Sequence, residues 1–256
     1  MSDAFFLPDG DRFVATEHTR GPWSREHQHG GPPAALMARV VEAGAEGLAL
    51  TRLSVDFLRP VPIAPLTVRT ETLRAGRRVR RVLVRLAAGD DVVAHAVALL
   101  VRPGKVETPE VDAGEPLPSP DVSEPFEIPF FRDVVHYGAA MEMRIACGRF
   151  GSGRVAAWMR QRVPLLPGEA PSPLQRVLVA ADSGSGFSFV VDPQRVTFLN
   201  ADLAVHVHRP LDGDWVGLDA VTIPDPRGFG LAETHLHDTR GPIGRALQSL
   251  VFEARP

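Results

Sequence analysis

The chain has 256 residues, 44% of them hydrophobic and 23% charged, with a formal net charge of -3. That supports one large or two small packed domains and excludes a disordered, collagen-like or disulfide-stapled protein. Nothing in the charge calls for nucleic acid or an anionic membrane as partner. Cys147 is the single cysteine, which leaves no internal disulfide and no multi-cysteine metal site and fits a reducing cytoplasm. Asp3, Asp9 and Asp11 stand where a signal peptide would be basic, and no run reaches the roughly 20 apolar residues of a membrane helix. A cytoplasmic globular protein is expected.

In chain order, Arg12 to Thr16 reads as a short strand. The stretch from Gly30 to Val41 reads as a helix, with prolines in its first turn and Ala, Leu and Met behind them. Gly44 and Gly47 end it. Strands are expected at 52–58, 66–73, 79–86 and 92–101, separated by proline and glycine turn signals. Seven prolines and seven acidic residues then crowd 103–129, which predicts a surface linker with neither helix nor central strand. Beyond it the order repeats: strands at 141–149 and 155–163, a helix from Pro173 to about Asp182, and strands at 195–208, 215–223, 230–237 and 246–254. Leu58-Arg59-Pro60 matches His208-Arg209-Pro210, and Arg102-Pro103 matches Arg255-Pro256. The repeat predicts an α+β chain divided as 1–104, a linker over 105–130, and 131–256, each half an antiparallel meander wrapped on one helix.

The phrases His29-Gly30-Gly31, Phe57-Leu58-Arg59-Pro60, Ala181-Asp182, Val207-His208-Arg209-Pro210 and Leu247-Gln248-Ser249-Leu250 resemble the acyl-CoA thioesterase II group. Those are double-hotdog proteins, two hotdog folds fused in one chain. The resemblance covers both halves but not the linker. It implies a catalytic trio holding a hydrolytic water: Asp182 at the end of the second helix, Asn200 eight positions before the strand-ending His-Arg, and Gln248 in the last strand. At the position of Asn200 a close family member carries threonine; both side chains can hydrogen-bond a water.

The residues can be weighed independently of the resemblance. Leu174, Val177, Leu178 and Ala181 form one apolar helical stripe, with Asp182 at its edge and at the negative end of the helix dipole. Burial and dipole both oppose the charge there, which suits a proton acceptor. An aspartate opening a Ser-Gly-Ser-Gly turn is equally ordinary, and only the resemblance favours the base. Asn200 shares strand parity with Phe198 and Ala204, and Gln248 shares it with Ala246, Leu250 and Phe252. Amides among apolar neighbours need partners, whether those are backbone groups or a bound water. His95 is read as the first-half counterpart of Gln248, so one working site is expected, in the second half. At His29, Gly30 and Gly31 a helix start presents unpaired N–H groups that could bind the thioester oxygen, or merely a tight turn.

Other signals point elsewhere or nowhere. The pairs His27/His29, His206/His208 and His235/His237 could each chelate a metal, but no supporting ligand set accompanies them. Arg74–Arg85 carries six arginines that could hold coenzyme A phosphates, yet Lys105 is the only lysine among 28 basic residues, so arginine is simply common here. Gly184-Ser185-Gly186 lacks the spacing and the strand-to-helix elbow of a serine hydrolase. The expected activity is hydrolysis of acyl-CoA to fatty acid and CoA, with no metal and no cofactor. The acyl chain would sit beside Phe187, Phe189 and Phe198, and by analogy the chain forms a homodimer or higher homo-oligomer. Two alternatives stand: a non-catalytic acyl-binding protein, and an acyl-CoA hydratase or dehydratase. The second needs a histidine beside the carboxylate, and the stretch after Asp182 supplies none.

Overall fold

The computed structural model describes residues 3–129, 131 and 135–255. Its strands are β1 Phe6–Asp9, β2 Arg12–Ala15, β3 Ala49–Phe57, β4 Pro65–Ala75, β5 Val79–Ala88, β6 Asp91–Val101, β7 Glu124–Phe126, β8 Met141–Gly148, β9 Arg154–Gln161, β10 Val196–Asn200, β11 Asp202–Val207, β12 Val216–Asp225, β13 Phe229–Asp238 and β14 Gly241–Ala254. The helices are α1 Gly31–Ala43, α2 Pro173–Ala181 and α3 Gly184–Ser188. All fourteen strands join one antiparallel sheet in the order β1-β2-β4-β5-β6-β3-β11-β14-β13-β12-β9-β8-β7, with β10 also on β14. The period-two pattern explains the sheet face: Ala94, Ala96, Ala98 and Leu100 of β6 are buried while the residues between them are partly exposed. That inner face meets the helices, α1 on β3 to β6 and α2 with α3 on β9, β12 and β13.

The strand register relates the halves. A shift of 150 residues carries Leu58-Arg59-Pro60 onto His208-Arg209-Pro210 and also carries Ser54 onto Ala204. Ser54 and Ala204 pair directly where β3 meets β11, so an approximate two-fold axis passes through that pair. The same shift carries the Val82–Ala98 pair onto the Ala232–Gln248 pair. The counterpart of Gln248 is therefore Ala98, and the expectation of His95 is corrected. His95 lies on the other face of β6, where it pairs with Asp56.

The helices run antiparallel in contact, and glycine decides how closely. A Cβ on Gly31 would overlap the Val179 carbonyl oxygen, so the start of α1 rests directly on the α2 backbone. At the opposite ends Arg39 makes a bidentate bridge to Glu169, and Glu42 accepts hydrogen bonds from Ser172 Oγ at 2.8 and 2.9 Å and from Gln175 Nε2 at 2.7 Å. Ser172 also caps α2, accepting from Gln175 N. Because α2 is enclosed by both α1 and the sheet, Val179 and Ala180 are buried along with the predicted stripe.

Several local expectations change. The stretch 195–208 breaks at Ala201 into β10 and β11. Phe198 is buried in β10 and Leu203 and Val205 in β11, so side-chain parity switches at the break and Asn200 does not share a face with Ala204. After Asp182 the chain forms α3 instead of a turn. The proline-rich segment is irregular over 102–119 but ends in a 3-10 turn, Pro120–Val122, and in β7, whose Pro125 sits on an edge strand as proline requires. The segment crosses the outer face of the second half, where Trp158 Nε1 donates to Pro118 O at 2.7 Å.

Candidate active site

Asp182 is the C-cap of α2 and is only 5% exposed. Two amides converge on one of its oxygens. Asn200 Nδ2, at the end of β10, donates to Oδ1 at 2.8 Å, and Gln248 Nε2, from β14, donates to the same oxygen at 3.2 Å. Gln248 Nε2 also reaches the Asp182 carbonyl at 3.0 Å, and its Oε1 accepts from Ser185 N at 3.1 Å. Asn200 Nδ2 further donates to Asp202 O. Both amide nitrogens have two acceptors, and both side chains are held in orientation with the carboxylate as a shared acceptor.

The second carboxylate oxygen faces the first half of the chain. His29 Nδ1 lies 3.1 Å from Asp182 Oδ2 and 3.2 Å from Gly31 N. The imidazole stacks on Tyr137, the single tyrosine, with ring centroids 3.8 Å apart and planes within 5°. Tyr137 is tied down in turn: its hydroxyl donates to Val179 O at 2.7 Å and lies 2.9 Å from Ser183 Oγ. Burial pushes the His29 pKa down, against the opposing pull of Asp182, so a neutral imidazole faces the carboxylate at neutral pH. This contact joins residues far apart in sequence, and no spacing rule could have found it. It also supplies, from the first half, the neighbouring histidine that the stretch after Asp182 lacks.

A cavity of about 430 Å³ opens against this cluster. Asp182, Asn200, His29 and Gly30 lie in its wall, with Trp23, Phe57, Leu58, Phe131 and Phe198 supplying apolar surface. Much of the lining thus comes from the first half, where His29 and Gly30 stand opposite Asp182 and Asn200 of the second. The three predicted phenylalanines separate. Phe198 faces the cavity, Phe189 stacks behind it at 5.4 Å, and Phe187 is fully buried against Phe126 and Phe150.

The His29-Gly30-Gly31 motif divides as well. A Cβ on Gly30 would come within 2.7 Å of the Phe57 ring and 2.9 Å of Asp182 Oδ2, so this glycine keeps the approach to the carboxylate open. Gly31 is absent from the cavity wall, and its N–H donates to His29. Its missing Cβ is what lets the start of α1 rest on the Val179 carbonyl. Among the described residues no three His, Cys, Asp or Glu side chains gather at metal-binding distance. Among the same residues no helix is long and apolar enough to cross a membrane. In the β4–β5 hairpin Arg80 and Arg85 are engaged by Glu46 and Glu71.

Residues 19–101 match the acyl-CoA thioesterase N-terminal domain, and residues 109–252 match the acyl-CoA thioesterase C-terminal domain. No curated protein matches the sequence. Among solved structures, a conserved hot dog fold protein of unknown function from Alicyclobacillus acidocaldarius is 16% identical with a TM-score of 0.79, covering 99% of this chain and 98% of that one. The tesB protein of Mycobacterium avium subs paratuberculosis is 18% identical with a TM-score of 0.74, covering 97% and 95%. An acyl-CoA thioesterase II from Mycobacterium marinum is 17% identical with a TM-score of 0.72, covering 96% and 94%. These likenesses establish the hotdog fold, and the two domain matches extend over most of the sequence. The chain belongs to the acyl-CoA thioesterase family and is a thioesterase.

Proposed function

We propose that this enzyme hydrolyses acyl-CoA at the Asp182 cluster, and that the convergence of Asn200 and Gln248 on Asp182 Oδ1 is the observation that carries the assignment. Two donors on one oxygen hold the carboxylate fixed and leave Oδ2 turned toward His29 and the cavity wall. A water placed against Oδ2 attacks the thioester carbonyl carbon as Asp182 takes its proton. The tetrahedral intermediate collapses with cleavage of the carbon–sulfur bond, and the CoA thiolate takes a proton back. The products are the carboxylic acid and free CoA. For the developing oxyanion we assign the peptide N–H of Gly30, at the positive end of α1. Chain walls at Trp23, Phe57 and Phe198 favour aliphatic acyl groups, at roughly 0.8 kcal/mol per buried methylene.

The register relation between the halves and the two helices support a reading as two fused hotdogs, 1–104 and 131–256, joined by 105–130. A cytoplasmic setting is the reading that fits the exposed free thiol of Cys147. The test of function is thiol release across a panel of acyl-CoA chain lengths. Medium or long aliphatic thioesters should outcompete acetyl-CoA; release from acetyl-CoA alone, or only from charged acyl groups, would contradict the assigned lining. Absence of release from every chain would favour an acyl-binding protein.

The His29–Asp182 contact favours a second reading, reversible hydration of a 2-enoyl thioester, in which an acid and a base act on neighbouring carbons. Conversion of 2-enoyl-CoA to 3-hydroxyacyl-CoA without thiol release would support it. Thiol release with no such conversion would remove it.

A further inference from the structure

A second cavity, of about 840 Å³, opens at the other end of the α1–α2 pair. Its wall repeats that of the first. Residues 57–61 line the first cavity and, shifted by 150, residues 207–211 line the second; likewise 199–201 line the first and 49–51 the second. The helix contributions correspond too: Gly30 before α1 stands in one wall, and Ser172 before α2 in the other. The second cavity is thus the same ledge, strand break and helix junction, seen across the two-fold axis.

We propose that this second cavity binds the aliphatic chain of a second acyl thioester without hydrolysing it. The inference rests on the reading that the first cavity takes an acyl chain. Binding is carried by the apolar floor, which includes Leu48, Leu50, Leu174, Val177 and Leu211. Hydrolysis is excluded by three replacements. Leu50 stands where the active cluster has Asn200, Ala98 stands where it has Gln248, and Glu42 is held instead by Ser172 and Gln175. No pair of amides remains to fix a carboxylate and a water.

Charge selects the thioester over the free acid. Glu42 stands in the wall with only neutral hydrogen-bond donors, Ser172 and Gln175, and repels a carboxylate head group. Arg39 is engaged by Glu169, and Arg209 by the fully buried Asp238. Arg59, the counterpart of Arg209 in the first wall, is exposed and only loosely paired with Asp91 at 3.6 Å. Binding in the second cavity therefore depends on the chain and responds less to salt than binding in the first.

The test is calorimetric titration of the full-length protein with a thioether analogue of dodecanoyl-CoA, which cannot be hydrolysed. Two molecules should bind per chain. Ala49→Trp and Ala170→Trp, two separate fillings of the second cavity at exposed positions, should each reduce this to one and leave thiol release unchanged. Free dodecanoate should bind the second cavity more weakly than the thioether. One molecule per wild-type chain with normal thiol release would overturn the second site while leaving the first intact. Two molecules persisting in both folded variants, or tighter binding of the free acid there, would also overturn it. Loss of both binding and thiol release in the wild type would instead refute the proposed function.

Discussion

The two ends of the α1–α2 pair share one scaffold and differ in a handful of side chains. At one end Asp182 receives two amide donors and an imidazole beside a cavity. At the other, Glu42 is enclosed by a serine hydroxyl and a glutamine belonging to the neighbouring helix, bonds that tie α1 to α2. Both groups are carboxylates near a helix terminus, so position in the fold does not by itself separate the proposed base from a structural carboxylate. What separates them is the supply of donors from the sheet, present at Asn200 and Gln248 and replaced by Leu50 and Ala98 opposite. Fold builds both junctions, and the proposed chemistry resides in the few side chains set on one of them.

The most drastic way to break this difference is to copy the inert end onto the active one. Asn200→Leu with Gln248→Ala should lower turnover on the order of 10²–10⁴-fold, while binding of an acyl-CoA thioether persists. Gln248→Ala alone should cost about 1.5–3 kcal/mol, the loss of one hydrogen bond to a charged group, or roughly 10–150-fold in rate. Steady-state thiol release measures both, and near-normal turnover in the double variant would erase the distinction between the junctions.

A smaller effect is expected from the contact the two ends share. Gly31→Ala forces a methyl group against Val179 O, and helices held that closely should separate at a cost of about 1–3 kcal/mol. Thermal unfolding reads this as a lowered Tm; an unchanged Tm would mean the helices are not fixed by that approach.

An effect of similar size, seen only as the pH falls, lies far from both ends. His237 is buried beside Trp158 and Leu117, and neither ring nitrogen has a hydrogen-bond partner among the described residues. Burial pushes its pKa down to about 4, with Asp219 and Asp238 pulling upward and His235 and Arg245 pushing down. Protonation therefore favours the unfolded chain, where the value is near 6.5. The stability is full above about pH 6.5 and is lost as the pH falls toward 4, on the order of 1–3 kcal/mol. Denaturant titrations from pH 7 to 4 should show that slope in the wild type and a reduced one in His237→Leu. Equal slopes would contradict it.

Much of this architecture was legible in the sequence, because alternating apolar residues and proline or glycine breaks report strand faces and turns directly. The order of elements, both long helices and the exposed linker follow from those local signals. The approach of Asp182, Asn200 and Gln248 was legible through resemblance and not through periodicity, since three elements must be placed in space before they can meet. What escaped was non-local. The His29–Asp182 contact and the Tyr137 stack join opposite halves. The parity switch at Ala201 depends on a one-residue register shift between β10 and β11 along their shared partner β14. Glycine and serine hid α3, because their propensities argue for a turn while packing against β9, β12 and β13 holds a helix. Aligning the two halves from their final Arg-Pro pairs misplaced His95 by three residues, enough to put it on the wrong face of the sheet.

The central claim is that the carboxylate at one helix junction is the base and its counterpart is structural. Turnover of Asp182→Asn and Glu42→Gln, measured side by side on the same acyl-CoA with each variant's folding checked by melting, tests it directly. The Asp182 variant should lose on the order of 10²–10⁴-fold in rate with acyl-CoA binding retained, and the Glu42 variant should stay within about twofold of wild type. Near-normal turnover in folded Asp182→Asn, or an equal loss in Glu42→Gln, would contradict the account.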